Sequence, residues 1–232
     1  NLLRNSTRQL IPEFERFFKE ESRDKKKKSK ITEYVVKQGI SYPSDSEFFK
    51  LVARQRVYGL ITKIIFYLTV RKYFEDLPEL HQSDERDLNR LLKIAFTKAS
   101  EKDWQAVFVD GPIEELGIPD SAYPHLRELF SELRVYHFGD LPEDVIGELF
   151  EEIVDPEQRH NLGQYFTRED LVDLIIGTVV QDKNGFYGDP TCGSGTFLIR
   201  LYDRLRYLSG HRATHDHLLK QISGMDRLKL PS

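Results

Sequence analysis

Apolar residues recur at helical spacing through the first 136 positions. Leu10, Phe14, Phe17 and Phe18 form one stripe and predict a helix over residues 1–22. A shorter helix is predicted over 31–38, ended by Gly39. Phe48, Leu51, Val52, Leu60, Ile61, Ile64, Ile65 and Leu68 predict a long helix over 47–76, preceded by capping residues at 41–46, with Gly59 as a place for a kink. So wide an apolar face belongs to a helix packed against several others. Leu88, Leu91, Leu92, Ala95, Phe96 and Ala99 place another helix over 84–100. Shorter helical stretches follow at 104–109, 114–117 and 123–136, around the break at Gly111-Pro112. No convincing strand alternation occurs before residue 180.

Beyond residue 140 the pattern changes. Asp140 with Glu143 fits a capping box that opens a helix over 142–154, with Val145, Ile146, Leu149, Phe150 and Ile153 inward. Residues 155–161 read as a polar loop. Thr167 with Asp170 offers a second box, opening a helix with Leu171, Val172, Leu174, Ile175, Val179 and Val180. A turn at 181–185 leads to a strand over 185–188. Next comes Asp189-Pro190-Thr191-Cys192-Gly193-Ser194-Gly195-Thr196, then a helix with Phe197, Leu198, Leu201, Leu205 and Leu208 on one side. A histidine-bearing loop at 210–216 precedes a second strand over 221–225, which ends at Asp226. The expected architecture is a mainly α N-terminal domain, residues 1–139, followed over 140–232 by the start of an α/β domain.

The 232 residues are 39% hydrophobic and 31% charged, which suits a chain that buries a core. A net charge of −4 and a pI of about 6.0 leave no overall basic footprint, so any nucleic-acid contact rests on local patches. The run Lys25 to Lys28 is the one such patch in the sequence; it reads either as a solvated, mobile loop or as a phosphate contact. A single cysteine, Cys192, excludes an intramolecular disulfide and a cysteine-based zinc site, and fits a cytoplasmic setting. The most apolar stretch, 64–70, is far shorter than the ~20 residues of a membrane span. His160, His211, His215 and His217 lack acidic partners at ligand spacing, so no metal site is expected. The chain opens at Asn1 without Met and stops soon after a predicted strand, which reads as a piece of a longer protein.

The glycine turn carries the chemistry. Two glycines let the backbone bend sharply and let a ligand approach without a Cβ in the way. The helix start adds unused N–H groups and a positive dipole end, suited to a carboxylate or phosphate. Asp189 sets a carboxylate at the C-terminal edge of the strand, where open α/β sheets bind their ligands. Cys192 reads as a small packing residue of the turn. Gly193-Ser194-Gly195 lacks the third glycine of a dinucleotide fingerprint, and Asp226 lies beyond the spacing that fingerprint expects.

Leu162-Gly163-Gln164-Tyr165-Phe166-Thr167, followed by Asp189-Pro190-Thr191-Cys192-Gly193-Ser194-Gly195-Thr196-Phe197-Leu198, resembles the paired motifs of the N6-adenine DNA methyltransferases. The runs are similar to those of the modification subunits of type I restriction systems, and single-chain restriction–modification enzymes and phage-defence methylases carry similar runs. Arg54 to Tyr58 and Lys63 to Tyr67 resemble their N-terminal helical domain, with packing as the ordinary role. The resemblance implies a Rossmann-like fold binding S-adenosylmethionine (SAM), here truncated. It implies a cofactor site of Gln164, Tyr165, Phe166, Thr167, Asp189, Cys192, Gly193, Ser194, Gly195, Thr196 and Asp226. Asp189 would orient the methionine end, and Asp226 would accept the ribose hydroxyls.

The implied partners are double-stranded DNA and specificity or restriction subunits. The family's transfer motif, Asn or Asp followed by Pro-Pro and an aromatic, has no counterpart here, for the chain contains no Pro-Pro pair. No catalytic residue is therefore expected within these 232 residues, and no methyl transfer by them alone. Two alternatives stay open: a methyltransferase acting on RNA or protein, and a non-catalytic SAM-sensing or assembly subunit.

Overall fold

A computed structural model describes residues 2–37, 45–80, 87–102, 105–108, 110–136, 167–193 and 195–225. The chain divides into two compact units, residues 1–156 and 157–230. The expected capping box at Asp140, the helix over 142–154 and the loop over 155–161 lie outside the described residues.

The described part of the first unit is all helical: α1 (Leu2–Glu21), α2 (Lys25–Lys37), α3 (Asp45–Arg71), α4 (Leu88–Ser100), α5 (Gln105–Phe108) and α6 (Tyr123–Leu133), with single 3-10 turns at Glu114–Leu116 and Asp120–Ala122. Its axis is α3. Phe48, Val52, Val57, Leu60, Ile61, Ile64, Ile65 and Tyr67 are buried around almost its whole circumference, as the wide apolar face predicts. Each such side chain contributes about 1.5–3 kcal/mol relative to exposure. The helix runs unbroken through Gly59. Along it lies α1, burying Leu3, Leu10, Phe14 and Phe18, and α6 packs in turn against α1. An aromatic group closes the other side, with Phe96 stacked on Phe108 at 5.3 Å and Tyr67 edge-on to both. The Tyr67 hydroxyl donates to the carbonyl of Pro78 at 2.8 Å.

The lysine run is not a loop. Lys25 to Lys28 form the first turn of α2, because the Asp24 carboxylate accepts the main-chain N–H groups of Lys26 (2.8 Å) and Lys27 (3.1 Å), as an N-cap does. Ile31 and Val35, buried, hold the helix to its unit.

The described second unit consists of α7 (Glu169–Val179), β1 (Tyr187–Asp189), α8 (Thr196–Leu208), α9 (His215–Leu219) and β2 (Ile222–Gly224). The strands pair in parallel, with Tyr187, Gly188 and Asp189 opposite Ile222, Ser223 and Gly224. They are shorter than the pattern predicts, and β1 begins two residues later. Gln221 explains the offset: its buried Nε2 donates to the carbonyls of Lys183 and Gly185, which holds residues 183–185 as a loop. Val172, Ile176, Val180, Leu201, Leu205 and Leu218 make the core. The apolar residues predicted for α7 divide between two faces. Leu171, Leu174, Ile175 and Val179 are 46–66% exposed, and the stripe Val172, Ile176, Val180 faces α8 instead. No helix among the described residues is long and apolar enough to cross a membrane.

Candidate functional site

Parallel pairing brings the C-terminal ends of β1 and β2 to one edge. There the chain passes from Asp189 into the turn, and three main-chain bonds fix it to β2. Tyr187 N–H donates to Gln221 O (2.9 Å), Met225 N–H to Asp189 O (2.9 Å) and Cys192 N–H to Met225 O (3.0 Å). The Asp189 carboxylate folds back over the turn, where its Oδ1 accepts the Thr191 N–H at 3.0 Å. Its Oδ2 meets no donor among the described residues, so one oxygen shapes the turn and the other is left for a ligand.

Gly193 (φ +53°) and Gly195 (φ +89°) both take the left-handed conformation, which costs an L-residue energy and glycine very little. Gly195 N–H donates to Cys192 O at 2.8 Å, and Ile199 N–H to Gly195 O at 2.9 Å, so the turn closes directly into α8. Gly195 itself occupies the N-cap position and provides no side-chain cap. Gly195 thus puts no capping side chain over the main-chain N–H groups of the first turn of α8. A Cβ built on Gly193 or Gly195 would meet nothing within 4 Å. Among the described residues nothing crowds these two positions, so the reason for glycine here is the backbone conformation.

Cys192 is buried under the turn, as the sequence reading expects. Thr196 begins α8, half-buried. Phe197, for which the sequence leaves stacking on a ligand and core packing equal, lies against the core cluster. Thr167 is exposed two residues before α7 and caps nothing. The helix takes Arg168 as its N-cap residue, with no side-chain cap bond. Asp170 cannot complete the expected box, because its carboxylate is engaged by the Arg168 guanidinium (2.7 and 3.1 Å) and by Leu171 N–H (3.0 Å). Gln164, Tyr165, Phe166, Ser194 and Asp226 lie outside the described residues.

One residue of this edge escapes the sequence reading. Gly224 ends β2 directly beneath the turn, and a Cβ there would stand 3.1 Å from Cys192 Sγ and 3.3 Å from Cys192 Cβ. The only signal is a glycine one place before the strand's last hydrophobic residue, Met225, which any strand end shares. Among the histidines, His215 Nδ1 lies 3.0 Å from the Tyr202 hydroxyl. No group of three or more potential metal-ligating side chains forms among the described residues.

A family model described as N-6 DNA Methylase matches residues 141–231, a stretch that contains the whole turn and both strands. The methylase subunit of the type I restriction enzyme EcoEI, from Escherichia coli, is 27% identical over 112 residues, covering 46% of this chain and 22% of that subunit. The methylase subunit of the type I restriction enzyme MjaVII, from Methanocaldococcus jannaschii, is 31% identical over 120 residues, covering 49% of this chain and 20% of that subunit. The match thus spans about a fifth of the length of these curated relatives. No solved structure matches the chain. The resemblance drawn from the two motifs is borne out: the N-6 DNA Methylase family model matches residues 141–231, which contain both of them.

Proposed function

We propose that the chain provides the helical part, residues 1–139, and the first cofactor-binding units, residues 140–232, of a Rossmann-like DNA adenine-N6 methyltransferase of a restriction–modification or defence system. The observation that carries this reading is the turn between β1 and α8. It lies within the matched stretch, at the C-terminal edge of a parallel pair, with two left-handed glycines that no described residue crowds and a helix start without a side-chain cap from Gly195. Those features fit the methionine end of SAM. The main-chain N–H groups of the helix start would hold its carboxylate, and Asp189 Oδ2 would take up its ammonium. Gln164, Tyr165, Phe166, Thr167, Ser194, Thr196 and Asp226 complete the proposed site, with Asp226 at the ribose diol by its place just after β2. When bound, SAM supplies an activated methyl group for displacement by a nucleophile.

The target amine is the harder half. An adenine amino nitrogen has its lone pair drawn into the ring, so a side-chain amide or acid and a backbone carbonyl must accept its hydrogens while an aromatic stacks on the flipped base. With no Pro-Pro pair in 232 residues, this chain contains no such loop, and we assign it binding of SAM without transfer.

Calorimetric titration of SAM tests the site. The expected result is saturable binding that weakens at least tenfold in both Asp189→Ala and Asp226→Ala. Absence of binding to the folded wild-type chain would overturn the assignment of the site. Methyl transfer to DNA above a no-enzyme control would overturn the assignment of inactivity.

A further inference from the structure

The lysine run is the feature that the cofactor site leaves unused. It stands in the least comfortable place a helix offers to positive charge. The first turn of α2 lies at the positive end of the helix dipole, and that turn contains no acidic residue. Four consecutive ammonium groups there repel one another and the dipole alike. Two of the cations nearby are answered within the unit: Lys27 pairs with Glu21 and Lys30 with Glu115. Arg23, Lys25, Lys26 and Lys28 are exposed and pair with no carboxylate among the described residues. Burial of Ile31 and Val35 fixes the helix, so these charges project from an anchored element. Asp24 answers the dipole at the cap, and Glu21 and Glu115 answer two of the cations, so the remaining exposed charges make a basic, anchored surface suited to an external polyanion.

We propose that the N-terminal turn of α2, through Lys25, Lys26 and Lys28 with Arg23 beside them, is a docking surface for the phosphate backbone of duplex DNA. The choice of DNA as the polyanion rests on the methyltransferase reading. The chemistry of the turn selects a duplex backbone within that class. There is no aromatic or apolar residue from Arg23 to Lys30, so the surface has nothing to stack on unpaired bases and nothing to insert between lipid chains. Lysines are point charges without the planar fork that reads a base edge, so the contact positions the duplex and reads no sequence.

The test is fluorescence anisotropy of the 232-residue protein with a 30-base-pair duplex of random sequence, across a series of KCl concentrations. Replacing Lys25, Lys26 and Lys28 together by Ala should lower the slope of log K against log salt by about 3, since each phosphate contact contributes ~0.9. The triple Lys→Arg variant should keep the wild-type slope. An unchanged slope in a folded triple-Ala variant overturns the proposal. So does wild-type protein that binds phosphatidylserine vesicles but not the duplex. SAM titration of the same proteins separates this failure from that of the cofactor site. A wild type that binds SAM but no duplex loses the docking surface and keeps the methyltransferase reading. A wild type that binds duplex through these lysines but no SAM does the reverse.

Discussion

Gly224 of β2 and Leu198 of α8 touch so closely that a methyl group on Gly224 would stand 2.5 Å from Leu198 Cδ1. Leu198 belongs to the first turn of the helix that follows the glycine turn, and Cys192 presses on Gly224 from the other side of the same turn. Gly224→Ala must therefore displace the start of α8, or force Leu198 off its rotamer. Overpacking of this kind costs about 1–3 kcal/mol. We expect urea denaturation to show that loss, and SAM affinity to fall with it. Leu198→Ala in the same chain makes room for the methyl group and should restore part of the affinity. A double variant no better than Gly224→Ala would show that the contact does not set the turn.

Asn89 is a second staple, in the helical unit. Its Nδ2 donates to the Ile118 carbonyl (2.8 Å) and to the Tyr123 hydroxyl (2.9 Å), and its Oδ1 accepts the Ile118 N–H (2.6 Å). One side chain thus satisfies both main-chain groups of Ile118 and ties α4 to the segment before α6. Asn89→Ala should destabilise the unit by about 1–3 kcal/mol, because both groups of Ile118 lose their partner. Asn89→Asp should also destabilise it, since a carboxylate cannot donate to Ile118 O. Equilibrium urea unfolding followed by circular dichroism measures both.

Helix-forming periodicity made α1, α3 and α4 legible, since each buries one continuous stripe or, for α3, nearly every face. The glycine turn was legible for a different reason: glycine adopts the left-handed conformations at 193 and 195 without the strain most other residues would carry there. Four features were hidden. Apolar residues occupy both sides of α7, so their spacing could not say which side meets α8. The five residues of α9 look like loop in sequence, and local bonds to Thr214, from His217 N–H to its Oγ1 at 3.3 Å and from Leu218 N–H to its carbonyl at 3.1 Å, mark their start. The lysine run conceals a helix whose cap is Asp24, because charge density and helix propensity point in opposite directions. Gly224 was hidden most fully, since its requirement arises from Leu198, 26 residues away in sequence, and no local pattern records a tertiary approach.

Arg56 presents the opposite case, a group whose removal should be tolerated. Its side chain is 5% exposed, and its guanidinium lies over the Phe14 ring at 5.7 Å. Its Nε donates to no group, and no carboxylate among the described residues lies within ion-pair distance. Burial lowers its pKa from the usual guanidinium value, against an opposing pull from Glu114 and Asp110. Replacing such a charge by an apolar side chain of similar length is commonly neutral or stabilising. Arg56→Met should match or exceed the wild-type urea midpoint, whereas Arg56→Ala, which leaves a cavity beside Phe14, should fall below it. A Met variant much less stable than wild type would mean that the guanidinium is compensated after all.

Tyr34 gives the stability of the helical unit a predictable alkaline limit. Burial, reinforced by the nearby Glu114 carboxylate and partly offset by Arg56, pushes its phenol up from about 10 to about 12. A raised pKa in the folded state means that the folded chain holds the proton more tightly than the unfolded chain. The resulting stability is complete below pH 10, where both states are protonated. It drains away as the pH climbs through the folded value, because the unfolded phenol ionises first. A difference of about two units corresponds to roughly 2–3 kcal/mol lost between pH 10 and pH 12. Tyr67, buried and likewise shifted upward, adds to the fall in the same direction. Unfolding free energies measured in urea at pH 9, 10, 11 and 12 should show that decline in the wild type and a shallower one in Tyr34→Phe. Tyr73→Phe, at a ring that is 69% exposed, should leave the wild-type slope unchanged. Equal slopes in the Tyr34 and Tyr73 variants would remove Tyr34 from the alkaline limit and leave it to Tyr67.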